Sequence, residues 1–333
     1  MKLITYERDS RTFLGVVVGD LTLDLQAAHT MQRYDQKEGD DLLPNDMLAF
    51  LRRGEEAMLL ARKVIAWFLE AGSPLVFRHT EIAFPATAVR LLAPVPRPPS
   101  MRDGYAFRQH VEAARRNRGV AMIEEFDLFP VFYFTNHNAV TGPGLVDVRH
   151  LHLDRLDFEL EAAIVIGKEC RDVSAAEADA CIAGYTVMND WSARALQMEE
   201  MKLSLGPAKG KDFATSIGPW LVTRDELAAA RIPGPQGERY DLAMTATVNG
   251  SEVSRGNLKD MTWTFAQIIE RASYGVTLLP GDVIGSGTVG TGCFLELNGS
   301  KVFDPAWWLK PDDEVVCEIG MLGRLENRVR LVD

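Results

Sequence analysis

Polar and apolar positions alternate in an unusual way in residues 156–167, LDFELEAAIVIG. The branched Val and Ile residues that end at Gly167 predict a buried strand rather than a helix. Because residues two apart in a strand share a face, Asp157, Glu159 and Glu161 should point the same way. Like charges at the edge of a core repel, and burying them is costly unless a cation or a proton intervenes. The pattern therefore predicts a strand whose carboxylates require a positive partner.

The pattern divides the chain into a smaller N-terminal part and a larger second part. Residues 1–28 alternate in short runs, which predicts a small antiparallel sheet. From residue 46 to 72 the apolar spacing becomes helical. Four prolines between 94 and 99 predict a semi-rigid linker. We therefore expect a small domain of sheet and helices, with its linker, over residues 1–97, and a second domain over 98–333.

The second part consists mostly of strands and Gly/Pro turns. Helices are predicted around residues 105–118, after Ser174, and near 264–272. Residues 184–190, GYTVMND, predict a strand. Because strands and helices do not alternate in regular units, the predicted fold class is α+β and mainly β.

Composition narrows the class of protein. The chain has 333 residues, of which 47% are hydrophobic and 25% charged, as in ordinary globular proteins. A net charge of −11 argues against nucleic-acid binding. No apolar run reaches the roughly 18 residues of a membrane span, and the N-terminus turns polar too early for a secretory signal. The four cysteines have no paired spacing. We expect a cytoplasmic protein with reduced thiols that binds neither nucleic acid nor membrane.

Two stretches carry candidate chemistry on or beside helices. In RDGYAFRQH, Asp103 precedes a helix that contains His110. In NDWSARALQ, Asp190 ends a strand, and Arg194 and Gln197 lie three apart on one helical face. The alternatives are ordinary: Asp190 could cap the helix that follows, and a lone helical histidine is usually a surface or core residue.

Two further stretches place polar residues among glycines. GKDFATSIGPW, residues 210–220, contains Lys211, and GSGTVGTGCFLEL, residues 285–297, contains Thr288 and Glu296. The second stretch predicts a strand, a loop and a strand. We reject a nucleotide-binding loop there because no Gly-Lys-Ser/Thr follows and no helix is expected after it.

A competing metal site lies in HLHLD, residues 150–154. His150, His152 and Asp154 are the ligand types of a facial iron triad. Histidine spacing alone is weak, and the adjacent Arg149 and Arg155 would oppose a dication. We favour an ordinary polar strand face.

Five stretches, in this order, resemble the fumarylacetoacetate hydrolase superfamily: DGYAFRQH, LDFELEAAIVIG, NDWSARALQ, GKDFATSIGPW and GVTLLPGDVIGSGT. The resemblance is strong from about residue 90 to the end and looser in the N-terminal part. It implies a mixed β-sandwich roll for the second domain, a smaller N-terminal α+β domain and a homodimer.

The resemblance also implies roles for matching residues. It implies a site for Mg²⁺, Mn²⁺ or Ca²⁺ formed by Asp103, Glu159, Glu161 and Asp190. It implies a general base, His110, with Glu296 as its partner, and oxyanion-stabilising groups at Lys211, Arg194 and Gln197. Substrate contacts are implied at Tyr105, Tyr133 and Thr288. The dication is the positive partner that residues 156–167 require, and oxygen-only ligands favour these ions over zinc.

One departure bears on the reaction. Small acylpyruvase-type members carry His-x-x-Glu on a lid helix, whereas Ala113 stands three residues after His110. The departure favours fumarylacetoacetase-like hydrolysis, that is, cleavage of a C–C bond in an anionic 1,3-diketo acid, in aromatic catabolism. The alternative is a metal-dependent decarboxylase, hydratase or isomerase of 2-oxo acids. A metal-binding or ligand-sensing protein without turnover is disfavoured because it would need no base.

Overall fold

The computed structural model describes residues 1–36 and 41–333. The helices are α1 Leu25–Gln36, α2 Met47–Arg53, α3 Glu55–Glu70, α4 Arg108–Asn117, α5 Ala175–Ala178, α6 Arg194–Met201, α7 Phe265–Ser273 and α8 Phe294–Gly299. The strands before residue 150 are β1 Lys2–Arg8, β2 Arg11–Val18, β3 Leu21–Asp24, β4 Val76–Phe77, β5 Thr80–Glu81, β6 Ala83–Pro85, β7 Arg90–Leu91, β8 Met101–Gly104, β9 Phe132–Phe134, β10 Val140–Thr141 and β11 Gly144–Val148. The later strands are β12 Leu156–Asp157, β13 Leu160–Ile166, β14 Ile182–Asp190, β15 Ser192–Ala193, β16 Thr215–Thr223, β17 Arg231–Ile232, β18 Arg239–Tyr240, β19 Ala243–Val248, β20 Ser251–Asn257, β21 Val283–Gly285, β22 Glu314–Ile319 and β23 Gly323–Leu331.

Two sheets form the body of the protein. The larger sheet has the order β6-β3-β2-β1-β16-β14-β13-β21-β8-β9. The smaller sheet has the order β11-β23-β22-β19-β20. Helices are few outside the N-terminal part, so the predicted α+β, mainly β fold class is confirmed.

Strand β13 is buried on both faces, and this explains its nearly continuous apolar sequence. Ala162 and Ile164 face a core shared with the smaller sheet, which contributes residues such as Met244. Ala163 and Val165 face a second core that includes the N-terminal helices. The larger sheet is therefore the central layer, with a sheet on one side and helices on the other.

The N-terminal strands continue the larger sheet. Strand β1 pairs antiparallel with β16, with Lys2 opposite Val222 and Leu3 opposite Leu221. The predicted division into residues 1–97 and 98–333 stays a prediction, but the hydrogen-bonded sheet runs across it.

Residues 46–72 are helical as predicted, in two helices that Gly54 separates with a φ of 66°. Two other local predictions were wrong. The predicted polar strand at 150–154 is instead a short 3₁₀ helix, His150–Leu153. The second strand of the glycine-rich stretch is the short helix α8, so the exclusion of a nucleotide-binding loop rests on the missing Gly-Lys-Ser/Thr alone. Within residues 1–36 and 41–333, no helix is long and apolar enough to cross a membrane.

Candidate metal centre and active site

Neighbouring strands of the larger sheet bring the four predicted metal-binding carboxylates together. Asp103 lies on β8, Glu161 on β13 and Asp190 at the end of β14, while Glu159 immediately precedes β13. All four are buried. One oxygen of each lies within 4.8 Å of one oxygen of every other. Ligands that bind one cation at 2.0–2.6 Å are at most about 5 Å apart, so this spacing suits a single ion.

Asp190 shows that the cluster fits a cation. Its Oδ2 accepts hydrogen bonds from Tyr133 Oη and Lys211 Nζ, both at 2.7 Å. Its Oδ1 is buried and has no hydrogen-bond partner. A buried carboxylate oxygen without a partner is costly. A hard divalent cation, which takes oxygen ligands, would satisfy it.

Two cationic side chains hold Glu159. Lys211 Nζ donates to Glu159 Oε2, and Arg194 donates from Nη2 to Oε1 at 2.7 Å. Burial alone would raise the pKa of Glu159, but Lys211 and Arg194 outweigh it and hold the pKa at about 2. Burial likewise opposes the charge on Lys211, yet Asp190 and Glu159 raise its pKa above the usual value. Glu159 is therefore fixed in its charged form.

Asp103 and Glu161 lie on the side of the cluster away from these pairings. Both accept a hydrogen bond from the Gly287 amide, at 3.1 and 3.0 Å. Burial, and then Asp190, raise the pKa of Asp103 to about 7. Burial, and then Asp103, raise the pKa of Glu161 well above its usual value. Glu161 thus meets a repulsion of the kind that the strand pattern predicted, but mainly from Asp103 on β8 rather than from its own strand.

The predicted base and its partner meet beside the cluster. His110 Nδ1 lies 2.6 Å from Glu296 Oε2, and Glu296 Oε1 accepts from the Thr291 amide at 2.9 Å. The Tyr105 ring contacts the imidazole edge-on, with centroids 5.8 Å apart. A ligating atom of His110 lies within 4.8 Å of one from Glu159. The histidine is thus buried, oriented by a carboxylate and close to the cluster.

The other predicted site residues also lie here, but mostly against protein groups. Gln197 Oε1 accepts from Arg194 Nη1 at 2.9 Å. Thr288 Oγ1 lies 3.4 Å from Glu161 Oε1. With Tyr133 bound to Asp190, these contacts support the cluster. Their predicted roles toward substrate or oxyanion stay predictions.

Asp157 departs from the expected strand face. The strand breaks after it, and its carboxylate accepts from the backbone amides of Phe294 and Leu295, at 2.7 and 2.9 Å, at the start of α8. It also accepts from Arg194 Nε at 2.8 Å. Asp157 therefore anchors Arg194 instead of joining the carboxylate cluster.

Sequence reasoning also missed Cys293. Its sulfur lies within 4.8 Å of ligating atoms of His110 and Glu159. The spacing gave no signal because a strand was predicted here, and only the helix that forms instead places Cys293 and Glu296, three apart, on one face. The competing site did not form: among the described residues, those at 150–154 join no group able to hold a metal, and the His152 ring stacks on Phe213.

The family model for the fumarylacetoacetate (FAA) hydrolase C-terminal domain matches residues 100–330. The chain belongs to the fumarylacetoacetate hydrolase family. The match includes every candidate site residue, and the resemblance that the five stretches indicated is confirmed.

The chain is similar to proteins named for two different reactions. Oxaloacetate tautomerase Fahd2a, mitochondrial, from Rattus norvegicus is 33% identical over 294 residues, covering 87% of this chain and 81% of the relative. Oxaloacetate tautomerase YisK from Bacillus subtilis is 28% identical over 338 residues, covering 99% of this chain and 100% of the relative. A solved structure of maleylpyruvate hydrolase from a Sphingobium strain, in complex with manganese(II) ion and pyruvate, has a TM-score of 0.68 and 22% identity and covers both chains fully. Both sequence relatives are thus named as tautomerases, while the fold is shared with a hydrolase solved in complex with manganese(II).

Proposed function

We propose that this protein is a metal-dependent isomerase that interconverts the keto and enol forms of a small 2-oxo dicarboxylic acid of the oxaloacetate type. The observation that carries the proposal is the buried four-carboxylate cluster beside the His110–Glu296 pair. The two tautomerase relatives favour isomerisation over the hydrolysis that the missing His-x-x-Glu pattern favoured.

The metal would be held by the buried carboxylates of Asp103, Glu159, Glu161 and Asp190. When bound, Mg²⁺, Mn²⁺ or Ca²⁺ would act as a Lewis acid that polarises the oxygens of the 2-oxo acid. Lys211 and Arg194 keep Glu159 ionised and in place, and so prepare the cluster for a cation.

His110 would move the proton between carbon and solvent. Its Nδ1 is held by Glu296, which leaves Nε2 to take a proton from C3 of the substrate. The C–H electron pair then forms the C2–C3 double bond while the C=O π pair moves onto the C2 oxygen. That oxygen takes a proton from water to give the enol, and His110 returns its own proton to solvent. The ammonium group of Lys211 would stabilise the negative charge on that oxygen.

Hydrolysis of a C–C bond in a 1,3-diketo acid is the second candidate. One observation favours it: a histidine held by a carboxylate can remove a proton from water as well as from carbon. In that reaction hydroxide would attack the carbonyl distal to the 2-oxo acid group, and the fragment carrying that group would leave as an enolate.

The two candidates differ in their products. With Mg²⁺ present, the protein should accelerate the loss of enol absorbance of oxaloacetate, and the recovered acid should still be oxaloacetate. EDTA should abolish the acceleration. Incubation with an acylpyruvate, followed by chromatography, tests cleavage. Catalysed cleavage without tautomerisation would overturn the isomerase proposal in favour of the hydrolase.

The oligomeric state, the cellular location and the metabolic role are also proposals. A homodimer is testable by sedimentation at several protein concentrations. A cytoplasmic location is testable by cell fractionation. A role in aromatic catabolism would require turnover of a ring-cleavage product.

A further inference from the structure

A second group of metal-ligating side chains lies beside the carboxylate cluster. It consists of His110, Cys293 and Glu159, all buried, and one ligating atom of each lies within 4.8 Å of the others. Tetrahedral zinc ligands at 2.0–2.3 Å lie roughly 3.5 Å apart, within this limit. Nitrogen, sulfur and oxygen together are the ligand set of zinc, whereas the neighbouring cluster offers oxygen alone.

His110 and Cys293 are already held in position for such a site. Glu296 holds His110 Nδ1, so Nε2 is the ring nitrogen left for an ion. A carboxylate bound to the second nitrogen of a ligating histidine is the usual support of zinc sites. Cys293 precedes α8, whose first amides are held by Asp157, so the thiol is fixed on the turn that carries Glu296.

The thiol of Cys293 is fully buried beside Glu159 and His110. Zinc binds cysteine as the thiolate, so binding here would release the thiol proton to solvent.

We propose that His110, Cys293 and Glu159 form a second metal site, selective for Zn²⁺ or a similar borderline-soft dication, whose occupation withdraws the His110 imidazole from proton transfer. Binding at this site is independent of the reaction that the protein catalyses. The inhibition that should follow rests on the proposed role of His110. Because the two sites share Glu159, occupation of the carboxylate cluster should weaken zinc binding without abolishing it.

The binding test uses Co²⁺ as a spectroscopic substitute for zinc, added to protein in excess Mg²⁺. The wild type should develop thiolate-to-cobalt charge-transfer absorption, and Zn²⁺ should remove it. Cys293→Ala should lack the absorption, and Cys293→Ser provides a second thiol-free variant of similar size should the alanine variant not fold. Cys317→Ala is the matched control, because Cys317 is equally buried but lies on β22 in the smaller sheet. Equal absorption in wild type and either folded Cys293 variant, or none in the wild type, would overturn the site.

The inhibition test compares each variant with its own Mg²⁺-dependent rate. Cys293→Ala should require at least about 100-fold more Zn²⁺ for half inhibition, since even an outer-shell partner is worth 10–100-fold in affinity. Unchanged inhibition would mean that zinc acts by displacing Mg²⁺ from the carboxylates, and the inhibitory role would be wrong. If no turnover is found, the proposed function fails, while the cobalt spectra still decide the site.

Discussion

His110 and Glu296, 186 positions apart in the chain, are joined by a 2.6 Å contact between Nδ1 and Oε2. The contact fixes the ring and directs its free nitrogen away from Glu296. It also gives the histidine a carboxylate partner from a distant segment, since its own helix has Ala113 three residues on. The lack of an acid at Ala113 therefore does not distinguish hydrolysis from isomerisation.

The first prediction concerns His110. His110→Ala should lower kcat for tautomerisation by ~10²–10⁴-fold, the usual effect of losing a general base. Metal affinity at the carboxylate cluster, measured by Mn²⁺ titration, should stay the same. Glu296→Gln should lower kcat in the same direction with unchanged metal affinity. Full activity of His110→Ala would remove the histidine from the reaction.

The second prediction compares two glutamates of the cluster. Without metal, Glu159→Gln should cost about 3 kcal/mol of unfolding free energy, because Lys211 and Arg194 each lose a buried partner. Glu161→Gln should instead stabilise the metal-free protein by about 1 kcal/mol, or roughly 2 °C, because it removes repulsion with Asp103.

Melting curves at pH 8 in EDTA, and again in excess Mg²⁺, measure both changes. Each variant should also lose the metal-dependent shift of the wild type. An increase in the melting temperature of Glu159→Gln would contradict the prediction, because it would show that Lys211 and Arg194 need no anionic partner at this position.

The third prediction concerns pH. The pKa of Asp103 is raised from 3.8 to about 7, so the folded state holds this proton more tightly than the unfolded state does. The stability that this group contributes is therefore complete below about pH 4 and is lost as the pH rises to about 7. In EDTA, the wild type should lose stability relative to Asp103→Asn across that window. Urea unfolding at several pH values tests this, and a constant difference would contradict the raised pKa.

The fourth prediction concerns space beside Asp103. A methyl group at Gly285 would overlap Asp103 Oδ1 and lie 2.9 Å from Met188 Sδ. Gly285→Ala should therefore displace the carboxylate and weaken metal binding by at least about 10-fold, through misplacement of one ligand. Gly320→Ala is the control, because a methyl group there meets only ordinary contacts at 3.7 Å and beyond. Equal Mn²⁺ affinity in both variants would mean that Asp103 is not a ligand.

The sequence predicted which carboxylates lie together better than it predicted the local structure around them. The strand at 160–166 and the helix near 264–272 could be recognised because a buried strand and an amphipathic helix leave strong apolar patterns. The break after Asp157 could not, because it depends on amides of α8, more than 130 residues away. The position of Cys293 could not be recognised for the same reason, because only the fold brings His110 and Glu159 to it.

The pairing of β1 with β16 has a consequence for folding. A fragment of residues 98–333 would expose the backbone of β16 at Leu221 and Val222 as an open sheet edge, and such edges promote aggregation. The same strand would also lose the helices that cover the apolar face of the central layer. The N-terminal segment therefore covers both the open edge and the apolar face of residues 98–333. The intact chain should consequently melt in one cooperative transition rather than two.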